Sequence, residues 1–169
     1  MTINIYLIGM MGSGKSTIGQ LLADRLNMPW LDMDEIIEKR GMSIPHIFEK
    51  YGEEKFREIE TDVTKAIAQE DGTVVSTGGG VVLKDSNVEL MKVSGRVVYL
   101  KASKNQLLKN LESGRAHRPL IQDGSLEKKI DQLIGVRGQI YEDSADIIIE
   151  TDAYSPSEIA DQVIKLLKL

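Results

Sequence analysis

Short runs of consecutive apolar residues alternate along this chain with longer stretches in which apolar residues recur every three or four positions. The runs INIYLIG (3–9), PWLDMD (29–34), TVVST (73–77), RVVYLKA (96–102) and ADIIIE (145–150) read as strands. Between them, Ile18, Leu21, Leu22 and Leu26 recur at helical spacing. Leu126, Ile130, Leu133 and Ile134 form a second stripe, and Ile159, Val163, Leu166 and Leu167 a third. Ser86 with Glu89, Ser103 with Gln106, and Ser155 with Glu158 have capping-box spacing, and Pro156 suits the first turn of the last helix. Strands apolar almost throughout, alternating with helices, predict an α/β fold. It would have three layers, α/β/α, around a parallel sheet of about five strands.

In such sheets ligands bind beyond the carboxyl ends of the strands. The unusual residues of this chain follow strands: a glycine-rich loop at 9–16, the acids Asp32 and Asp34, and a glycine triplet at 78–80. They are expected to meet at one edge of the sheet. The segment LESGRAHRPLIQDGS (111–125) breaks the rhythm. It holds two glycines, a proline, Arg115, His117 and Arg118, and its length suits a lid.

The chain has 169 residues, 41% hydrophobic and 28% charged, with a net charge of −5 and no cysteine. This length suits one domain with a real core. The negative balance argues against a nucleic-acid partner, and the absence of cysteine fits a reducing cytoplasm. The amino-terminal stretch reads as a strand, not a signal peptide, and no run approaches membrane-span length. His46, between Pro45 and Ile47, reads as structural. Trp30 and the seven methionines read as core or pocket wall.

GMMGSGKS (9–16) fits the pattern G-x-x-x-x-G-K-S/T between a predicted strand and a predicted helix. In that context Gly12, Ser13, Gly14, Lys15, Ser16 and Thr17 wrap nucleotide phosphates, assisted by the helix start. Lys15 reaches the β- and γ-phosphates and the Ser16 hydroxyl ligates Mg²⁺. The sequence therefore predicts ATP and Mg²⁺. TVVST does not end in the aspartate usual for ATPases and GTPases, and no guanine-reading NKxD string occurs. A small-molecule kinase fits better.

Such a kinase needs a carboxylate at the acceptor hydroxyl, cations on the transferring group, and closure against water. Asp32 and Asp34, two apart at a strand end, would point to one side; the alternative is that Asp34 caps a helix with Asp32 in solvent. Arg57 lies three residues before Glu60 on a predicted helix, so the carboxylate can hold the guanidinium. Arg57 and Arg137 suit bidentate capture of a carboxylate or phosphate, although each alone also fits an ordinary surface residue. Arg118, beside Pro119, fits either a phosphate clamp or a solvated loop charge.

GMMGSGKS, LDMD, IFEKYGEEKFREIE, STGGG, RPL and TDAYSP, in this order, resemble the shikimate kinase family over nearly the whole chain. The resemblance implies a single P-loop kinase domain over 1–169, with a mobile lid at 111–124 and a substrate-binding segment at 32–61. The implied reaction moves the γ-phosphate of MgATP to the 3-hydroxyl of shikimate, in a cytoplasmic monomer with neither nucleic-acid nor membrane partner. It implies that Asp34 binds the substrate hydroxyls as base or orienting group. Arg57, Arg137 and the Gly78, Gly79 and Gly80 wall would bind the substrate, with Glu60 positioning Arg57. Asp32 would join Ser16 at Mg²⁺, and Lys15 and Arg118 would stabilise the transferring phosphoryl group. The family often has an arginine in the adenine loop. Here Ala153 and Tyr154 stand there, and Tyr154 either stacks on adenine or packs. The rivals are a kinase of another small acid such as gluconate, and a non-catalytic nucleotide-binding regulator.

Overall fold

The computed structural model describes residues 3–113 and 125–169. Five strands form one parallel sheet: β1 (Asn4–Ile8), β2 (Trp30–Asp32), β3 (Val74–Ser76), β4 (Gly95–Lys101) and β5 (Ile147–Glu150), in the order β2-β3-β1-β4-β5. All four pairings are parallel, with Tyr6 opposite Val75 on one side and Val97 on the other. The helices are α1 (Lys15–Leu26), α2 (Met33–Glu38), α3 (Ile44–Ile67), α4 (Asp85–Ser94), α5 (Lys104–Ser113), α6 (Ser125–Ser144) and α7 (Pro156–Leu167). A 3₁₀ turn covers Val81–Leu83.

β1 is buried along its whole length. Because strand side chains alternate in direction, it feeds two cores. Ile5 and Leu7 pack with Ile18, Leu22, Ile159 and Val163 beneath α1 and α7. Tyr6 and Ile8 pack on the other face with Met33, Phe56, Met91 and Tyr141. The chain leaves β1 between β3 and β4, where the order of connections reverses, and enters α1 through the glycine loop. This is the crevice in which open α/β sheets bind ligands.

Several local expectations are corrected. PWLDMD is not a strand through Asp34: β2 stops at Asp32, whose side chain caps α2 by accepting from the N–H groups of Asp34 and Glu35. The capping acid is thus Asp32, not Asp34, and Asp34 stands in the first helical turn. Ser86 does not cap α4, which begins a residue earlier at Asp85 after Lys84. Ser103 accepts from Gln106 N–H, but Gln106 does not return the bond. Ser155 and Glu158 form the full reciprocal box. On α7 the buried face is Ile159, Ala160 and Val163, with Leu166 outside it and exposed. His46 stands exposed on the first turn of α3. Residues 111–113 complete α5, and the rest of the expected lid, with Arg115, His117 and Arg118, lies outside the described residues. Among the described residues, no helix is long and apolar enough to cross a membrane.

α1 lies close to β2 and β3, and a polar chain joins them. Trp30 Nε1 donates to Ser76 Oγ (3.0 Å), which donates to the Lys15 carbonyl (2.7 Å). Gly19 permits this approach: a Cβ there would stand 2.5 Å from Ser76 Oγ and 2.7 Å from Trp30 Nε1. Gly19→Ala should therefore destabilise the protein by about 1–3 kcal/mol through overpacking, although alanine favours an isolated helix by about 1 kcal/mol. Urea unfolding measures the sign; a more stable variant would show that α1 can move off the sheet without loss.

Candidate active site

The carboxyl ends of β1, β2 and β3 open into a cavity of about 410 Å³. One end is the glycine loop, with Gly12, Gly14, Lys15, Ser16 and Thr17 on its wall. Ser13 is buried in the loop, and its N–H closes a turn onto the Met10 carbonyl (3.1 Å). Lys15 Nζ donates to the carbonyls of Gly9 (2.7 Å) and Met10 (2.9 Å), which holds the ammonium over the loop mouth. Ser16 Oγ donates to Asp32 Oδ2 (2.9 Å), while Asp32 Oδ1 caps α2. One carboxylate thus joins the ends of two helices and presents hard oxygen donors next to a serine hydroxyl. That donor set suits Mg²⁺ carried in with phosphate oxygens.

The other end of the cavity is lined by Asp34, Arg57, Glu60, Gly78, Gly79, Gly80 and Arg137. Arg57 comes from the part of α3 beyond Gly52, whose backbone (φ 82°, ψ 173°) breaks the helix into two pieces. Arg57 Nη1 donates to Glu60 Oε1 (3.0 Å) and Nη2 to Glu53 Oε1 (3.2 Å). The two acceptors differ in kind: the Glu60 side chain is 1% exposed and that of Glu53 64%. Glu60 is therefore a fixed partner, and Glu53 one that an incoming anion can displace at small cost. Burial pushes the Glu60 carboxyl above its ordinary value, and the Arg57 guanidinium opposes that shift.

The glycine triplet passes between these groups. A Cβ at Gly78 would lie 2.8 Å from Glu60 Oε2 and 3.1 Å from Asp34 Oδ1, and one at Gly80 would overlap the Arg57 guanidinium. Small size is what this wall requires, so that backbone reaches between a carboxylate pair and an arginine. Tyr141, on α6 one turn after Arg137, donates its hydroxyl to the Gly79 carbonyl (2.5 Å). Burial raises its pKa to about 12, so it stays a donor at neutral pH.

The sequence-predicted residues of the glycine loop, Asp32, Asp34, Arg57, the triplet and Arg137 are thus brought together. Tyr154 is not on this cavity wall; it is exposed in the turn after β5. Arg118 lies outside the described residues. Sequence reasoning missed Tyr141 and the apolar wall of Ile44, Phe48 and Phe56; Met11, read as core or pocket wall, lies on that wall. The one available signal for Tyr141 was its i+4 spacing from Arg137 on an amphipathic helix.

Glu60 generates a pH prediction. Its folded pKa is raised, so the stability it contributes is greatest below the unfolded carboxyl pKa, about 4.3, and is lost as pH rises through the higher folded value. Glu60→Gln cannot titrate. The stability of the parent minus that of the variant should therefore fall as pH rises from 4 to 7.5 in urea titrations. A difference that rises over this range would reverse the sign assigned to burial.

Known proteins resemble this chain over nearly its whole length. A family model described as shikimate kinase matches residues 11–168. A shikimate kinase of Enterococcus faecalis is 46% identical over 167 residues, 98% of each chain. One of Thermodesulfovibrio yellowstonii is 42% identical over 163 residues, 96% of this chain and 93% of the relative. Among solved structures, shikimate kinase from Acinetobacter baumannii in complex with shikimate matches with a TM-score of 0.91 at 37% identity, covering 99% of this chain and 94% of that one. Shikimate kinase from Bacteroides thetaiotaomicron matches with a TM-score of 0.91 at 31% identity, over 99% of both chains. Sequence and fold are thus shared over nearly the whole length, and the chain belongs to the shikimate kinase family.

Proposed function

We propose that this chain, acting as one kinase domain, transfers the γ-phosphate of MgATP to the 3-hydroxyl of shikimate, giving shikimate 3-phosphate and ADP. One observation carries the placement: a single cavity joins a phosphate-binding loop to a wall that combines paired arginines with an exposed carboxylate. Shikimate offers complementary chemistry, a carboxylate at one end of the ring and hydroxyls at the other. Its carboxylate would take Arg57 and Arg137, displacing Glu53 from Arg57, while Glu60 keeps that guanidinium oriented. The ring would lie against Gly78–Gly80, and its hydroxyls would face Asp34. Phe48 and Phe56, with ring centroids 4.7 Å apart, form an apolar flank.

Asp34 orients the acceptor hydroxyl and takes its proton as the new O–P bond forms. Lys15 turns from the Gly9 and Met10 carbonyls toward the phosphates and neutralises charge as the bond to ADP breaks. Ser16 and Asp32 would hold Mg²⁺, Asp32 through water; the ion neutralises charge on the phosphate oxygens when bound. Arg118 is assigned to the transferring phosphoryl group and Tyr154 to the adenine, both by family resemblance. This reading includes a cytoplasmic monomer without nucleic-acid or membrane partners; the charge of −5 supports the lack of a nucleic-acid partner, and the absence of cysteine fits a reducing cytoplasm.

ADP release is the decisive assay, with MgATP and shikimate against gluconate and quinate in parallel. Turnover with shikimate alone is expected; turnover only with another acid would change the substrate, and nucleotide binding without any turnover would favour a regulator. Asp34→Asn should lower kcat by roughly 10²-fold or more, the range of general-base loss, and a near-parental kcat would remove its role. Arg57→Lys should raise shikimate KM, because a point charge does not replace a bidentate fork. An unchanged KM would remove the carboxylate assignment.

A further inference from the structure

One face of α5 carries a line of polar side chains that the reaction above does not use. At its start, Ser103 N–H donates to Asp152 Oδ1 (2.9 Å), in the turn that follows β5. Ser103 Oγ accepts from Gln106 N–H (3.2 Å). Gln106 Nε2 donates forward to Asn110 Oδ1 (2.8 Å), and Asn110 Nδ2 donates to the Gly12 carbonyl (2.8 Å). Positions 103, 106 and 110 are three and four apart, so they stand on one helical face. The bond pattern also fixes the Asn110 amide. Its oxygen is engaged by Gln106, which leaves only the NH₂ group to face Gly12.

The partner at the far end matters. A loop that turns its N–H groups inward around phosphates turns carbonyls outward, and those need donors. Gly12 sits at φ +80° in the middle of the loop, and its carbonyl takes the Asn110 donor. Leu111, the next residue, packs there too: a Cβ at Gly12 would lie 2.8 Å from Leu111 Cγ. The turn at the other end is anchored separately, since Thr151 N–H donates to the Lys101 carbonyl (2.9 Å).

We propose that Asn110 is a positioning residue for the nucleotide. Through the Gly12 carbonyl it holds the Gly12–Ser13 peptide, whose N–H closes the turn onto the Met10 carbonyl, and so sets the course of the loop that carries the phosphate-binding N–H groups. With Gln106, Ser103 and Asp152 it spaces the phosphate loop against the 151–155 turn at the opposite end of α5. The inference rests on the proposed placement of ATP on the glycine loop. It predicts a selective defect: the nucleotide is affected, while the shikimate end, built on α2, α3 and α6, is not.

The test is steady-state kinetics of the full chain with MgATP and shikimate varied separately. Asn110→Asp keeps size and shape but sets an acceptor against the Gly12 carbonyl. MgATP KM should rise roughly tenfold, the scale of one lost bond plus an acceptor–acceptor contact. Shikimate KM at saturating MgATP should stay within about twofold of the parent, and the melting temperature should be unchanged. Asn110→Ala should raise MgATP KM by a smaller factor, about threefold. If Gln106 acts by orienting Asn110, adding Gln106→Ala to Asn110→Ala should produce no further rise, a non-additivity that a structural role would not give. The proposal is overturned by a MgATP KM within twofold of the parent in Asn110→Asp, by equal rises in both KM values, or by multiplying effects in the double variant. Lys15→Met separates the two levels of inference. If it abolishes turnover while Asn110→Asp behaves as parent, only the ladder is wrong. If Lys15→Met turns over normally, the nucleotide placement itself fails.

Discussion

The burial of β1 on both faces and both edges is the constraint from which the site follows. A strand with β3 on one side and β4 on the other, and an apolar layer above and below, cannot bend away at its end. The chain must leave it at the carboxyl edge, between neighbours whose connections run in opposite directions. The glycine loop is therefore held at a point where β2 and β3 also end. Asp32 and the triplet at 78–80 arrive there because parallel pairing sets Asp32 opposite Ser76, two residues before Gly78. The groups that must cooperate are assembled by register, before any of them interacts with a ligand.

Within that frame, the arginine-lined end of the cavity depends on an asymmetry of burial. Arg57 is held by two carboxylates, but only Glu60 is removed from water. A buried acid beside an arginine fixes the guanidinium because leaving either charge unpaired is costly. An exposed one competes weakly, and a ligand carboxylate can replace it. The raised pKa of Glu60 is the other face of the same burial. Stability is conceded at neutral pH for an arginine that is already oriented, in keeping with catalysis that works by positioning and electrostatics.

Much of this was legible before the fold was seen, for identifiable reasons. Five strands and their parallel arrangement follow from apolar runs too continuous to have a wet face. The loop at 9–16 announces itself because backbone wrapping of phosphate demands glycine at set positions. The Arg57–Glu60 pair was readable because i,i+3 contacts on a helix are local. The errors were also local. Asp32 and Asp34 were read as a strand pair because nothing in LDMD marks where extension gives way to helix. Their convergence on one cavity has a different cause, a helix cap whose acceptor doubles as partner of Ser16.

What the sequence determined by itself is chemistry with short range: the phosphate loop, the capped helix starts at Ser103 and Ser155, and the identity of the acids and arginines. Only the tertiary structure decided which of them meet. Tyr141 reaches Gly79 across 62 positions, Trp30 reaches Ser76 across 46, and Asn110 reaches Gly12 across 98. Such contacts leave no periodic trace, because each depends on the packing of two elements and not on the spacing within one. Even Gly19 reads as a mere weak spot in a helix until the sheet brings Ser76 and Trp30 against it. The physical reason is common to all of them: periodicity encodes which face of an element is apolar, whereas the partner of a polar side chain is set by the distance between elements, which only the packed core establishes.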